Sequence, residues 1–432
     1  MRLMRTLVAV ALALLVSAPV FAQARTVVAD RGGSAACPAL VAPSGPTIRV
    51  GPAQADRLPA IVSSAPARST ILLANGTYRL ARTLNVSTAG VTIRSLSGRP
   101  ESVVIDGRYA TGDLVAVAAN DVRIAEVTLT RASYHLVHVV PPNAGPTIRR
   151  VRLYRLRLID GAEQFVKVNP NAARSAFVDA GRVECSTFRL TDRGRPHVPS
   201  DFLPCYTGGI DAHGAHGWTV RLNRFEHIRC GQGKGLAEHA VHFWTGSRDT
   251  LVERNMIVDC ARGIGFGLGD RTDWARRYPD AAGAGYVGHY GGIIRNNVVV
   301  ATRPGMDTGI GLEQARAAGV YHNTVYAGPR ATGYFSSLDY RFPNTTADIR
   351  NNLVTRITAR DAATARLARN VQAVPRTWFR DPARLDFHLS RAAAGAIDRG
   401  VSVRAAGLDI DGRPHRVGAP DLGADEAARR AR

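Results

Sequence analysis

An all-β solenoid, a parallel β-helix with a cap at each end, is the fold class this sequence predicts, on three observations. The first is a six-residue phrase, apolar-x-x-Asn-x-apolar, found at Val220…Asn223…Phe225, Val252…Asn255…Ile257, Ile294…Asn297…Val299, Val320…Asn323…Val325 and Ile349…Asn352…Val354. The second is the spacing of its asparagines, with steps of 32, 42, 26 and 29 residues. That is the irregular period of coils interrupted by loops. The third is a period-two segment ahead of the later copies: Gly209–His213, Ala240–Trp244, Gly263–Gly267 and Gly309–Glu313. Alternation of this kind makes a strand with one buried face.

Each coil then reads as a first strand, a turn, a second strand ending at the asparagine, and a short third strand. With a bend at the asparagine, the apolar residues three before and two after it both point inward. Stacking brings the amides into a ladder in which each bonds the next. A sixth copy carries Ser186 in the asparagine place (Val183…Ser186…Phe188), and a seventh carries Tyr154 (Val151…Tyr154…Leu156).

The ends divide the chain. Residues 1–24 read as a secretory signal: Arg2 and Arg5, the apolar run Leu7–Val16, then Ala22-Gln23-Ala24. The expected destination is the periplasm or the cell exterior. No second apolar run is long enough to span a bilayer, so no membrane partner is expected. Residues 25–70 read as an N-terminal cap, 71–358 as the β-helix, and 359–432 as C-terminal coils, cap and tail. The stretch Arg360–Ala394 lacks the Asn phrase and is expected to hold a short helix around Ala362–Arg369. The repeats argue for one monomeric body.

Net charge is +21, or +19 without Arg2 and Arg5, which suits an anionic partner. Only Lys167 and Lys234 are lysines among 56 basic residues. An amine can lose its proton near neutral pH where a guanidinium cannot. Lys167 sits in the strand-like run Phe165–Val168 and reads as structural; Lys234 reads as functional. Five cysteines in an exported chain suggest two disulfides and one thiol. Cys185–Cys205 and Cys230–Cys260 are the pairings considered, with Cys37 the expected odd one. Nucleic acid is not an expected partner, because no basic-aromatic repeat occurs.

The chain resembles the right-handed parallel β-helix proteins of the pectin-lyase-like superfamily. The resemblance rests on the opening Ile71–Tyr78, Gly90–Ile93 and Val103–Gly107, and on the close Asp386–Leu389, Ala396–Gly400, Asp409–Arg413 and Asp421–Glu426. It implies a cleft along the first-strand face. It does not imply one activity, because such folds host lyases, hydrolases, epimerases and non-enzymes. The Arg-x-Pro-x-x-Arg signature of pectate lyases and the Asn-Thr-Asp and Gly-His-Gly motifs of polygalacturonases are absent from the sequence.

Aligning the first strands gives two outward columns, Asp211, His242, Gly265, Gly311 and His213, Trp244, Gly267, Glu313. Coils lie about 4.8 Å apart, so the first two members of each column should touch. Gly265 and Gly267 would floor a hollow for a sugar ring, with Glu313 on its far side. Two loops would wall it. One is Gly269–Gly292, with Asp270, Arg271, Trp274 and Tyr278; the other is Gly231–His239, with Lys234, Glu238 and His239. Aromatic rings beside arginines suit sugars that carry carboxylates.

On this reading the partner is an acidic polysaccharide and the reaction β-elimination or C5-epimerisation. His242 or Lys234 would be the base, oriented by Asp211, with Arg271 or Arg248 on the carboxylate. No cofactor is required, although Ca2+ could replace the arginine. The first alternative is glycoside hydrolysis by Asp270 and Glu313. The second is a non-catalytic carbohydrate-binding protein, which would keep Trp244 and tolerate loss of His242. A zinc site built on His213, His216, His239 and His242 lacks the spacing of any known motif.

Overall fold

A computed structural model of the chain describes residues 37–428 except 202, 232, 269–275, 277–284 and 334–335. The expected signal, together with Asp270, Arg271, Trp274 and Tyr278, lies outside the described residues. Among the described residues, three long parallel sheets of 12, 10 and 10 strands run the length of the molecule. Each coil contributes one strand to each sheet, and the result is a right-handed parallel β-helix. Among the described residues no helix is long and apolar enough to cross a membrane.

The stack begins before residue 71 and ends after 358. Thr47–Val50 pairs in parallel with Thr70–Leu73, and Thr346–Arg350 pairs with Thr364–Ala368. The helix expected around Ala362–Arg369 is therefore a strand. A short helix, Leu58–Ser63, instead covers the first coil with Leu58 and Val62 buried.

The asparagine ladder is continuous. Asn223 Nδ2 donates to Asn255 Oδ1 at 3.0 Å, Asn255 to Asn297 at 2.9 Å, Asn297 to Asn323 and Asn323 to Asn352 at 3.0 Å, and Asn352 to Asn370 at 2.9 Å. Each Oδ1 also accepts the backbone N–H of the asparagine one coil back, so every rung satisfies buried polar groups on its neighbour.

The bend lies one residue earlier than the phrase implied. Leu222, Arg254, Asn296, His322 and Asn351 have φ of 59°, 55°, 54°, 52° and 60°, the left-handed region. The Tyr154 copy is also out of frame. Leu153 pairs with Val183 and Leu158 with Phe188, and the N–H of Leu156 donates to Ser186 Oγ at 3.0 Å. Leu156, not Tyr154, takes the asparagine place.

The core is one column of apolar side chains, including Phe188 stacked on Phe225 at 4.4 Å. Outside it, Arg152, Glu184, Arg221, Glu253 and Arg295 alternate in charge up the 12-stranded sheet. Much of the arginine content thus pairs within the chain. The tail folds back over Val298, Val300 and Leu353, burying Phe387, Leu389 and Leu422.

The disulfides are Cys37–Cys185 and Cys205–Cys230, and Cys260 is a buried thiol. Both pairings considered from sequence are corrected, as is the choice of Cys37 as the odd one. Cys37 is drawn in by a strap along the coils: Tyr154 Oη donates to the Pro38 carbonyl at 2.6 Å, and the N–H of Leu40 donates to Glu126 Oε1 at 2.9 Å.

Candidate functional site

The first strands form the ten-stranded sheet from Leu84–Val86 to Ile357–Ala359. Its inward face packs Ile210, Val241, Ile264, Ile310 and Leu338 into the core. Period two then sends the intervening residues outward. In register they are His138, Lys167, Asp211, His242, Gly265, Gly311 and Asp339. His213 pairs with Trp244 in the next column, as the alternation requires.

The centre of this face is an ion pair between Asp211 and Lys167, the lysine that reads as structural in the sequence, where Lys234 was the one expected to be functional. Lys167 Nζ is bonded to Asp211 Oδ2 and lies 3.2 Å from His213 Nε2. Trp244 donates its indole N–H to Asp211 Oδ1 at 2.6 Å, and His213 Nδ1 lies 3.0 Å from Thr245 Oγ1. Lys167, Asp211 and His213 are 7%, 4% and 7% exposed. Burial opposes ionisation of Asp211, yet Lys167, His213 and His242 beside it hold its carboxyl well below the usual range. Burial likewise opposes the Lys167 ammonium, and Asp211 overcomes it, raising the lysine above its ordinary value. His213 is pushed down by burial against the pull of Asp211, so it is a neutral imidazole at pH 7. Tyr206 feels both Lys167 and Asp211, and burial raises its phenol. It sits beside Cys205, which the second disulfide ties to Cys230.

Lys234 is exposed on the 231–238 loop, and among the described residues no hydrogen bond or ion pair joins it to Asp211 or His242. Arg248 bonds Asp249 at 2.7 Å and lies over the Tyr290 ring at the corner beyond Trp244. His242 shares the outward column but is buried at 1%, where an accessible base was expected. Trp244 stacks on it at 5.2 Å and 2°, and His239 lies 4.4 Å away. Its Nε2–H donates to the Gly267 carbonyl at 2.9 Å, so the ring supports Trp244 and the turn at Gly267.

The glycine floor is one coil from its expected place. A Cβ on Gly265 would strike the His239 ring at 2.7 Å, and one on Gly267 would strike the Glu313 carbonyl at 1.9 Å. Both glycines relieve crowding, and Gly267, at φ +72°, makes a turn. Gly311 is the open one, with Thr308 and His239 no nearer than 3.6 Å. Above it lies a hollow of about 250 Å³ lined by His239, Arg262, Asp307, Glu313, Asp339, Arg341 and Arg360, among others. Arg341 bonds Glu313 at 2.7 Å and Arg360 bonds Asp339 at 3.0 Å, while Arg262 is 3.7 Å from both Asp307 and Glu238. Each of these carboxylates is already opposed by a guanidinium, which leaves this hollow poorly suited to Ca2+. Burial raises the Asp339 carboxyl, and Glu313 adds to the rise against Arg360 and Arg341.

Among the described residues, three groups bring metal-binding atoms within 4.8 Å of one another: Asp113, His135 and His138; Glu238, His239 and His242; and His388, Asp411 and Asp425 on the tail. Sequence reasoning missed Asp113, His135, His138, Tyr206, Asp339 and the arginines around Gly311. His138 could have been found, because Val137-His138-Val139 is another outward polar residue in a period-two run.

No family model matches the sequence, and no curated protein matches it. Among solved structures the chain is similar to pectate lyase Pel9A, with TM-score 0.54 and 15% identity over 92% of this chain and 100% of that one. Similarity also extends to an alginate lyase from Paenibacillus sp. str. FPU-7, with TM-score 0.42 and 14% identity over 67% and 97% of the two chains. A polygalacturonase from Erwinia carotovora ssp. carotovora gives TM-score 0.43 and 10% identity over 77% and 98%. Likeness at these identities is likeness of fold. On its three-sheet stack and on this comparison, the chain has a right-handed parallel β-helix fold, similar to that of pectate lyase Pel9A.

Proposed function

We propose that the protein is an exported, monomeric enzyme acting on an acidic polysaccharide by removing the proton α to a uronate carboxylate, as a lyase or a C5-epimerase. The observation that carries this reading is the desolvated Lys167–Asp211–His213 cluster on the outward sheet face, roofed by Trp244. Elimination needs a cation on the carboxylate, a base for the α proton and an acid for the departing oxygen. The raised Lys167 ammonium suits the first role. His213 is neutral, and its Nε2 is released for the second once the substrate carboxylate draws Lys167 away. Tyr206, kept protonated by burial, suits the third. Epimerisation shares the first step and returns a proton to the opposite face of the sugar. Trp244 offers a ring for stacking. The hollow over Gly311 lies along the same face and is placed for a further sugar residue of the polymer. Two disulfides fit an oxidising compartment.

A second reading, glycoside hydrolysis, is favoured by one observation: Glu313 and Asp339 line the same hollow from adjacent coils. Offset by two residues and one coil, their Cα atoms are about 8 Å apart by strand geometry. Inverting enzymes hold their carboxyl groups roughly 6.5–9.5 Å apart, a separation that side chains on Cα atoms so placed can reach. A panel of uronate polymers separates the two readings. Absorbance growing near about 235 nm marks the unsaturated product of elimination. New reducing ends without that absorbance mark hydrolysis, and an unchanged polymer that remains bound marks a binding protein.

A further inference from the structure

One coil before Lys167, on the same face, lies a polar cluster that the proposed reaction does not use. His138 stands in register with Lys167, and its Nδ1 is 2.8 Å from Asp113 Oδ2. His135 Nδ1 is 2.9 Å from the Gln164 carbonyl, which can only accept, so Nδ1 carries the proton and Nε2 the lone pair. The two rings meet edge to face at 5.2 Å. Asp113 Oδ1 is buried with no hydrogen-bond partner. Glu163 Oε2 is 3.6 Å from His135 Nε2, and Asn169 Nδ2 is 3.4 Å from His138 Nε2.

We propose that Asp113, His135 and His138 form a binding site for a divalent transition metal of the zinc class. One donor atom from each lies within 4.8 Å of the others, so a small closure brings them to the roughly 3.3–3.6 Å separation of tetrahedral ligands that share an ion at about 2.0–2.2 Å. Two imidazoles and one carboxylate favour zinc and its neighbours over calcium, which takes six to eight oxygens. The Gln164 carbonyl fixes the His135 tautomer as outer-sphere partners of metal-bound histidines do. Asp113 and Glu163 supply two negative charges against the two of the ion, which limits repulsion of the nearby Lys167. Three protein donors leave a position open for an oxygen from a ligand lying along the sheet face. The site does not depend on which reaction the Lys167 centre performs.

The test is to strip the protein with a chelator, dialyse it, and titrate it with Zn2+ alone by calorimetry at pH 7, with bound metal counted per chain. His138 is the variant of choice, because its side chain is 20% exposed whereas His135 is buried in the sheet face. His138→Gln should bind one Zn2+ fewer per chain than the parent, and Asp113→Asn should weaken that ion at least tenfold. Glu238→Gln, in the other histidine group of the same sheet, should retain it. Far-UV circular dichroism of each variant should match the parent. The proposal is overturned if the parent binds no stoichiometric Zn2+, if His138→Gln binds as the parent does, if the ion is lost in Glu238→Gln instead, or if Ca2+ occupies the site and Zn2+ does not displace it.

Discussion

Lys167 and Asp211 hold the same position on adjacent coils, and the ammonium of one is bonded to the carboxylate of the other with both side chains more than nine-tenths buried. Removing one partner strands a buried charge, at a cost of about 3–5 kcal/mol. Lys167→Met should lose stability of that order in urea unfolding. The double variant Lys167→Met/Asp211→Leu should recover most of it while remaining inactive. A double variant as unstable as the single one would mean the pair is held by more than its mutual charge.

Kinetics on a uronate polymer distinguish the two clusters of the sheet face. His213→Gln should lower kcat by about 10²–10⁴, the usual share of a general base. Glu313→Gln should change KM more than kcat under the elimination reading. The opposite pattern, with kcat collapsing in Glu313→Gln and Asp339→Asn, would transfer the chemistry to the hollow over Gly311.

Thermal stability should peak near pH 6.5. Burial holds His289 and His322 to about 3, and His135 to about 4, below the unfolded value of roughly 6.5. Their folded-state advantage is complete above about 6.5 and declines as pH falls toward those values. His388 behaves in reverse: Asp411, with Asp386, raises it to about 9, so its contribution is complete below about 6.5 and lost as pH rises through 9. A Tm series from pH 4 to 9.5 checks both slopes. His388→Gln should flatten the alkaline limb and leave the acid limb unchanged.

Asn255→Ala removes the acceptor for the backbone and side chain of Asn223 and the donors to Val220 and Asn297. Each stranded buried group costs about 1–3 kcal/mol. The melting temperature should fall sharply, with activity at low temperature retained. An unchanged Tm would remove the ladder from the account of stability.

Thiol titration should find one reactive cysteine per chain, and only after unfolding. Cys260 is buried and its thiol is pushed up to about 12 by burial. Cys37→Ser should expose the partner thiol of Cys185 in the native protein. It should also lower stability by roughly 2–5 kcal/mol, the range for removing a native disulfide.

The architecture was legible because its signals are local. The Asn phrase repeats within six residues, and period two alone placed Asp211 beside His242 and His213 beside Trp244. What eluded sequence reasoning depends on partners far along the chain. Lys167 meets Asp211 across 44 residues, so its outward direction was readable but its company was not. The phrase failed at Tyr154 because Leu153-Tyr154-Arg155-Leu156-Arg157-Leu158 fits an apolar pattern in two frames. His242 reads as exposed in a period-two run, but a bulky neighbour in the same strand, Trp244, lies across it. The disulfides eluded prediction because spacing along the chain says nothing about a strap that returns from residue 37 to the coil of Cys185.

That strap ties the earliest described residue to one 148 positions later, with Cα atoms 5.8 Å apart. Sulfur chemistry tolerates Cα separations of about 4.4–6.8 Å. A frame slip of a single layer anywhere between would move one thiol by about 4.8 Å. Oxidation at this point therefore acts as an inspection of workmanship: the clasp closes only on a molecule whose intervening floors were laid in the correct count.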